Sequence, residues 1–343
     1  MKIEKRNFAL RAAATAGAAA LALALLSGAA SAQDKIYTMK ISLPTLNDPS
    51  YFFAKNYAAA LEKDSGGRIK PEIYPASQLG AIPRQIEGTQ FGAIQCAVIP
   101  PEFFVGVDER FELMAAPGLV DSMDHGQRLA ADPEVKKLMF GLGADKGLRG
   151  VAMFMNAPSS VIAKNALRHL ADFKGKKIRV LASAFQTKPI EQLGATPVAM
   201  TLGDVVPALQ QGAVDGAVGG IVVWTPMHFQ DAAKFVTETG QPAVYAIAEV
   251  NKNWYDSLPP DLQKIVDSDA AKEQAALTPI AIDIVDKARK GWVASGGELI
   301  SLPADEQAQM MKIFLAASAE VSKSKPAVNE AYTIVNSAAQ KLR

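Results

Sequence analysis

The apolar positions of the chain recur at every second residue in some segments and at helical spacing in others. In the first such segment, Met39, Ile41 and Leu43 fall on one face, as in a half-buried strand. Strands that alternate with helices are typical of an α/β sheet covered by helices. In the first third of the chain, the predicted strands are 37–43, 68–74 and 93–99, and the predicted helices are 51–63 and 82–91.

The remainder of the chain continues this alternation and ends in longer helices. A short β-branched run ends near Arg179 and is followed by a helical pattern. We expect the chain to cross between two domains at 150–163 and to cross back at 235–249. Further predicted strands are 150–155, 160–163, 197–200, 235–238, 244–249 and 298–302. Further predicted helices are 123–142, 204–211, 221–229, 305–322 and 328–342.

One helical pattern, which begins at Pro259-Pro260-Asp261 and runs to about Ala294, is unusually long. Its length of roughly 35 residues exceeds that of a typical globular helix. Proline inside a helix kinks or breaks it, so Thr278-Pro279 leaves two interpretations, a single kinked helix or two separate helices. We favour the single kinked helix.

The N-terminal segment is typical of an export signal. A basic start is followed by an apolar run at 12–26 and by the small-residue cleavage motif Ala30-Ser31-Ala32. We predict a signal peptide over 1–32, cleavage after Ala32 and a periplasmic location, with a membrane anchor as the alternative. The pair Lys5-Arg6 leaves both the general and the twin-arginine export routes open.

Composition narrows the range of partners. The 343 residues carry 36 basic and 35 acidic side chains, which is not the basic balance that nucleic acid requires, so we predict no nucleic-acid partner. The length suggests about two domains. Cys96 is the single cysteine, so it cannot form an intramolecular disulfide, and its apolar surroundings in the sequence predict a buried thiol.

Motifs that would indicate catalysis are absent from the sequence. His125, His169 and His228 share no metal-binding spacing with one another or with Cys96. The glycines of 141–147 resemble a dinucleotide loop, but they follow a predicted helix where that motif follows a strand, so we interpret them as a helix C-terminus. We predict no cofactor and no metal. A buried pair of carboxylates would leave no motif, so catalysis by such a pair stays open.

Three runs in the middle of the chain carry a more specific signal. They are Lys174–Val180, Leu193–Val198 and Ala208–Gly216. Their sequences and spacing resemble those of the solute-binding proteins of tripartite ATP-independent periplasmic (TRAP) transporters, and related features extend from about Met39 to the C-terminus. The resemblance implies a protein that captures a small-molecule carboxylate and delivers it to TRAP membrane permease subunits, one small and one large, driven by a sodium gradient.

The same resemblance implies an architecture. It is the α/β, two-lobed periplasmic binding protein fold with a long helix spanning both lobes. With the expected crossovers, lobe I would comprise 33–156 plus 245–284, and lobe II would comprise 157–244 plus 285–343.

Arg179 ends the predicted central strand, and ligands of α/β sheets collect at the carboxyl ends of strands. Its guanidinium is a fixed fork of donors that matches a carboxylate in two hydrogen bonds. From the residues alone, it could also be a surface arginine that closes a basic run with Lys176 and Lys177. The resemblance implies that Arg179 holds the ligand carboxylate.

Four other positions depart from the family's sugar-acid binders. The resemblance implies a second arginine at Ser159, asparagines at Ala182 and Gly219, and an aromatic residue at Leu202. A site that lacks these polar groups prefers a less polar ligand body, because each buried donor left without a partner costs about 1–3 kcal/mol. Gly219 would also leave volume or allow close backbone approach to the ligand.

Further candidates for the ligand pocket are aromatic or polar residues near the crossover. Trp224 could form a pocket wall or pack in the core, and Phe185, Phe154 and Asn156 flank the predicted crossover. We interpret Asp215 as structural, because an acidic residue in a turn usually accepts hydrogen bonds from the backbone.

Together these observations predict a ligand with one carboxylate and an apolar or aromatic body, such as an aromatic acid or a branched 2-oxo acid. Closure of two lobes would sequester it. Two alternatives stay open at this point: a periplasmic, lyase-like enzyme that acts on a carboxylate, and a ligand-sensing partner of a membrane receptor.

Overall fold

The computed structural model describes residues 35–343, which form nine strands of one mixed sheet covered by helices. The predicted signal peptide over 1–32 lies outside the described residues. The strands are β1 (Tyr37–Ser42), β2 (Ile69–Tyr74), β3 (Cys96–Ile99), β4 (Leu148–Ala163), β5 (Lys177–Val180), β6 (Thr196–Ala199), β7 (Gly216–Gly220), β8 (Phe235–Asn251) and β9 (Glu298–Ile300).

The α-helices are α1 (Pro49–Asp64), α2 (Ile82–Phe91), α3 (Met123–Ala131), α4 (Pro133–Gly141), α5 (Ala184–Gln192), α6 (Leu202–Gln211), α7 (Ile221–Trp224), α8 (Lys252–Asp256), α9 (Pro260–Ala294), α10 (Ala304–Ser324) and α11 (Pro326–Lys341). The predicted α/β class is confirmed.

Two long antiparallel strands, β4 and β8, run through the middle of the sheet. The strand order is β2-β1-β3-β8-β4-β7-β5-β6, and β9 pairs with β8. One end of β8, near Glu249, pairs with β3, whereas the far end of β4, near Val161, pairs with β7. The sheet therefore has a first half, β1 to β3, and a second half, β5 to β7, joined by two continuous strands.

The predicted pairs of short strands are wrong, because each pair is one strand. The gaps that the sequence interpretation left within the two pairs contain Pro158 and Pro242, and proline lacks the N–H that a strand donates. The register of β4 against β8 shifts at three places, including one between Pro158 and Ser160. Such irregularities accommodate the prolines without ending the strands.

Two predicted helices are shorter in the structure. The helix over 123–142 is two helices, because Asp132 ends α3 and its side chain caps α4 by accepting hydrogen bonds from the N–H groups of Glu134 and Val135. The helix over 221–229 ends at Trp224, and a 3₁₀ turn follows His228, whose φ of 60° is incompatible with a continuing helix. The interpretation of 141–147 as a helix C-terminus is confirmed, since α4 ends at Gly141.

The long helix α9 is a single element of 35 residues that contains Pro279, so the two-helix interpretation is wrong. It packs against α1 beside the first half of the sheet and against α7 and β9 beside the second half. It therefore spans both halves. Its covered face includes Leu262, Leu277 and Trp292, all buried.

The apolar core surrounds the sheet on both halves. Cys96 lies in β3, is fully buried and forms no disulfide, as predicted. Burial raises the pKa of its thiol far above the usual range. Trp224 and Trp292 belong to one core cluster of the second half, packed around α6, α7 and β7.

Candidate functional site

A cavity of about 50 Å³ lies between the two halves of the sheet. From the first half, its lining includes Pro44, Asp48, Ser50, Ile82, Val98 and Phe103. From the second half, it includes Arg179, Leu181, Leu202, Gly219, Gly220 and Val223. The central strands contribute Asn156, Val244, Tyr245 and Ala246. Most of these side chains are apolar, with a few polar groups among them, as in many small-ligand sites.

Arg179 is held rigidly at this cavity by the two strands beside its own. It lies in β5 and is 1% exposed. Its Nε donates to the carbonyl of Met200, directly after β6, at 2.9 Å, and its Nη1 donates to the carbonyl of Val218 in β7, also at 2.9 Å. Nη2 is buried and has no hydrogen-bond partner among the described residues. One arm of the fork is thus fixed by the backbone and another is free for an acceptor.

The charge of Arg179 is not neutralised by a protein carboxylate in contact with it. Within residues 35–343, no acidic side chain forms an ion pair with Arg179. Burial lowers the pKa of Arg179 to about 10, and Glu102 and Asp204 act in the opposite direction from a greater distance. A buried cation without a partner is costly, and a bound carboxylate would offset that cost.

Of the acidic groups that act on Arg179, Glu102 has the larger effect on its pKa, and it is itself fully buried. Burial raises the pKa of Glu102 to about 8, although the charge of Arg179 lowers it somewhat. Its Oε1 accepts a hydrogen bond of 3.3 Å from Gln186 Nε2, whereas its Oε2 has no partner in the described part of the chain. Glu102 is therefore poorly stabilised as an anion.

A polar cluster lies at the other side of the cavity. Thr45, Asp48 and Ser50 lie before or within the first turn of α1, and Asn156 joins them from β4. Asp48 Oδ1 accepts from Thr45 Oγ1 and from the N–H of Tyr51, both at 2.9 Å, and its Oδ2 accepts from Asn156 Nδ2 at 3.1 Å. Burial raises the pKa of Asp48, whereas these hydrogen bonds lower it. Asn156, one of the predicted site residues, is thus in the cavity and fixed in orientation.

Gly219 lines the cavity, but of the two predicted roles for this glycine the first, free volume beside it, is wrong. A Cβ atom at this position would lie 2.6 Å from Cη2 of Trp224. The indole is fully buried, and its Nε1 donates to Ser160 Oγ at 3.0 Å. The volume beside Gly219 is therefore filled by Trp224, and an asparagine side chain would collide with the ring.

Trp224 consequently does not form a wall of the cavity. Its ring packs against Phe229 with centroids 4.7 Å apart, inside the core of the second half. Of the two interpretations open for this residue, the structure supports core packing. Leu202, at the start of α6, does line the cavity as predicted, and it presents an apolar surface beside Arg179.

Four other predicted residues do not line the cavity: Phe185, Phe154, Ala182 and Ser159. Phe185 belongs to the core of the first half and stacks on Tyr332, with centroids 6.2 Å apart. Phe154 packs against Phe53 at 5.0 Å. Ala182 follows Leu181, which does line the cavity, but Ala182 is not among the lining residues.

Ser159 is directed to the opposite side of the sheet from Asn156. It lines a second cavity of about 190 Å³, together with Glu238, Thr239, Arg289 and Gln307. Its hydroxyl is buried and has no partner among residues 35–343. The resemblance placed Ser159 at the ligand, but the cavity that it lines is not the one beside Arg179.

Sequence reasoning did not identify Asp48 and Tyr245 as residues that line the cavity, or Glu102 as a charge that acts on Arg179. Asp48 precedes a helix, and its pattern is that of any helix N-cap, so nothing in the sequence distinguished it. Asp215, by contrast, has the structural role that we predicted, because its Oδ2 accepts a hydrogen bond of 2.8 Å from the N–H of Lys177.

In the part of the chain that the structure describes, no group of three or more His, Cys, Asp or Glu side chains is arranged to hold a metal ion. Among the same residues, no helix is both long and apolar enough to cross a lipid bilayer.

A sheet in two halves, joined by long strands, with a cavity between them and a buried arginine at that cavity, defines a small-molecule binding protein of the two-lobed periplasmic type. Residues 42–324 match the model of the bacterial extracellular solute-binding protein family 7. The chain belongs to this family, which includes the binding proteins of TRAP transporters. The predicted recognition and the two-lobed fold are confirmed.

Individual relatives are similar to the chain at modest identity. The C4-dicarboxylate-binding periplasmic protein DctP of Rhodobacter capsulatus is 27% identical over 313 residues, which are 90% of this chain and 93% of that protein. The uncharacterised protein YiiZ of Salmonella typhimurium is 26% identical over 209 residues, so the chain spans 64% of its length and the match covers 61% of this chain.

A solved structure of similar fold is that of the sugar acid binding protein DctPAm from Advenella mimigardefordensis in complex with galactonate. It superposes with a TM-score of 0.84 at 21% identity and covers 90% of this chain and 99% of that one. At this identity the likeness shows the fold alone.

Proposed function

We propose that this protein captures a small organic acid with one carboxylate and an apolar or aromatic body, and that it carries this acid to a membrane permease of the TRAP type. The observation that carries the proposal is the free Nη2 of Arg179 at the cavity. A carboxylate there would complete the hydrogen bonding of the guanidinium and neutralise its buried charge.

The lining of the cavity supports an apolar ligand body. Beside Arg179 lie Leu181, Leu202 and Val223, and Phe103 and Ile82 come from the other half of the sheet. None of these side chains can hydrogen-bond the hydroxyls of a sugar acid, and buried hydroxyls without partners are costly. The volume of about 50 Å³ favours a compact acid, so a branched 2-oxo acid fits the site better than a sialic or hexuronic acid.

Capture and release would follow from the connection between the two halves. We propose the two lobes as 33–156 plus 245–284 and 157–244 plus 285–343, with β4, β8 and α9 as the connections that bend. A ligand that contacts both lobes stabilises the closed arrangement and so shifts the population toward it. No catalytic group is required for this function. A signal peptide over 1–32 would place the mature protein in the periplasm.

Among the residues predicted from sequence, we propose Arg179, Asn156, Leu202 and Gly219 as ligand contacts. Gly219 would act through its backbone, because Trp224 fills the space beside its Cα. Ser159, Ala182, Trp224 and Phe185 are not proposed as contacts, because they lie outside the lining of the cavity.

Isothermal titration of the mature protein against an acid panel tests the proposal. The panel contains 3-methyl-2-oxobutanoate, 4-methyl-2-oxopentanoate, benzoate, a hexuronic acid and a sialic acid. We expect stoichiometric binding of at least one branched or aromatic acid and no turnover of it. Tight binding of the hexuronic or sialic acid, with none of the other three, would contradict the proposed ligand class.

A further inference from the structure

The cavity carries a negative group at the side opposite its arginine. Arg179 comes from the second half of the sheet, whereas Asp48 lies directly before α1, beside the first half. Asp48 is 0% exposed, and its side chain lines the cavity. Arg179 and Asp48 bond to different protein groups and form no ion pair with each other among the described residues, so the two groups are separate poles of one site.

The donors around Asp48 are engaged within the protein. Thr45 Oγ1, the N–H of Tyr51 and Asn156 Nδ2 all donate to its carboxylate. The hydroxyl and the N–H of Ser50 donate to Asn156 Oδ1, at 3.0 and 3.2 Å. This side of the cavity therefore presents oxygen acceptors to a ligand, together with the negative charge of Asp48.

A ligand anchored on Arg179 extends across the cavity toward this cluster, because the cavity is small and is lined at its two sides by these groups. A second carboxylate at the far end of the ligand would meet the charge of Asp48, and the donors of this cluster are already bonded within the protein, apart from the second N–H of Asn156 Nδ2. Like charges at close range in a poorly solvated site repel strongly. A methyl group would meet no such repulsion, and a hydroxyl could donate to an oxygen of the cluster.

We propose that Asp48 determines specificity by excluding dicarboxylates, so that the site accepts monocarboxylates whose far end is uncharged. This inference rests on the proposed function, since it assumes that Arg179 holds the first carboxylate. It assigns to Asp48 a role in ligand selection in addition to its role as the cap of α1.

Two series of matched length provide the test, measured by isothermal titration at pH 7. The first is butanoate, 4-hydroxybutanoate and succinate, and the second is pentanoate, 5-hydroxypentanoate and glutarate. In the wild type we expect each dicarboxylate to bind about 100-fold more weakly than the hydroxy acid of the same length, as expected for close like charges. A wild-type protein that binds either dicarboxylate as tightly as its matched monocarboxylates would overturn the proposal without any variant.

Asp48→Asn removes the charge and keeps a side chain that caps helices well. We expect this variant to lose at least tenfold of the discrimination against dicarboxylates, mainly because it binds them more tightly. The matched control is Asp204→Asn, which also removes an acidic group near Arg179 but at an exposed position outside the cavity lining. We expect the control to keep the wild-type ratio.

The outcomes separate this inference from the proposed function. If Arg179→Ala abolishes binding of every acid while Asp48→Asn leaves the ratio unchanged, the carboxylate site stands and the role of Asp48 is refuted. If Arg179→Ala has no effect on acid binding, the proposed function is refuted, and the inference about Asp48 is refuted with it. Thermal melts of both variants establish that they are folded, and the wild-type series can still refute the role of Asp48 if Asp48→Asn does not fold.

Discussion

Two arginines lie beside two cavities of this sheet, and their surroundings differ in one respect. Arg289 lines the cavity that contains Ser159, and it forms an ion pair with Glu238 with a separation of 2.6 Å. Arg179 is fully buried, has no ion-pair partner among the described residues and keeps Nη2 free. The arginine at the larger cavity is therefore paired with a carboxylate, whereas the arginine at the smaller cavity is not.

Under the proposed function, the availability of a charged group indicates the binding site better than the size of the cavity beside it. The cavity with Arg289 has about 190 Å³ and that with Arg179 about 50 Å³. A guanidinium already paired with a carboxylate gains little from an acidic ligand. A buried one held by two carbonyls gains both a hydrogen bond and charge neutralisation.

The largest expected effect comes from removing the free guanidinium. Arg179→Ala should weaken acid binding by about 2–4 kcal/mol, or roughly 30- to 1000-fold, because a desolvated carboxylate loses its charged partner. Arg289→Ala is the matched control and should change affinity by less than about twofold. Isothermal titration measures both, and circular dichroism establishes that each variant is folded.

Equal losses of acid affinity in Arg179→Ala and Arg289→Ala would contradict the proposed difference between the two cavities. Arg179→Lys sharpens it further, because lysine keeps the positive charge but not the planar fork. We expect its affinity to lie between those of the wild type and Arg179→Ala.

Glu102 should make stability depend on pH. Its pKa is raised by burial from 4.5 to about 8 in the folded protein. A carboxyl whose folded pKa is raised contributes stability below its unfolded pKa, and this stability is lost as pH rises from about 4.5 to 8, on the order of a few kcal/mol in all. Glu102→Gln should reduce the difference in unfolding free energy between pH 5 and pH 8, as measured by urea denaturation.

Glu249 is also buried with a strongly raised pKa, and it is present in both proteins, so the difference between wild type and Glu102→Gln isolates Glu102. A variant whose unfolding free energy falls as steeply between pH 5 and pH 8 as that of the wild type would show that Glu102 is ionised at low pH in the folded protein.

The packing beside Gly219 predicts an intermediate effect on stability. Gly219→Ala places a methyl group against the Trp224 ring, which is held by Ser160 and Phe229, and should destabilise the protein by about 1–3 kcal/mol. Gly203→Ala is the control, since a Cβ there meets nothing within 4 Å. Thermal and urea denaturation compare the two, and equal stabilities would refute the packing argument.

The smallest effect is expected at Ser159, and its neighbour Ser160 provides the contrast. Ser159→Ala removes a buried hydroxyl without a partner, so both stability and affinity should change little. Ser160→Ala removes a hydroxyl that donates to the carbonyl of Gly219 at 3.0 Å and accepts from Trp224, and it should cost about 1–3 kcal/mol. A loss of acid affinity in Ser159→Ala would indicate that the ligand binds in the cavity of Ser159 and not in the cavity of Arg179, which would contradict our account.

Periodicity predicted the order of most elements, because short buried strands and amphipathic helices carry local signals. Periodicity failed where strand pairing in the folded protein overrides a proline that would otherwise end a strand. Pro158 and Pro242 interrupt the sequence pattern but not β4 and β8, which are fixed by pairing along most of their length.

The candidate site was only partly predictable, for a similar reason. A guanidinium at the end of β5 follows from the sequence, but its two carbonyl acceptors come from Met200 and Val218 on neighbouring strands. The acid at the other side, Asp48, reaches the cavity only through the packing of the two halves. Ser159 and Asn156 line different cavities, which the resemblance to the family did not indicate.

The most direct test of the central claim is a crystal structure of the protein with a bound branched 2-oxo acid. Our account predicts a carboxylate oxygen within about 3 Å of Arg179 Nη2, with the bonds from Nε and Nη1 to Met200 and Val218 retained. A carboxylate bound elsewhere, with Nη2 turned to a protein oxygen or to bulk water, would contradict it.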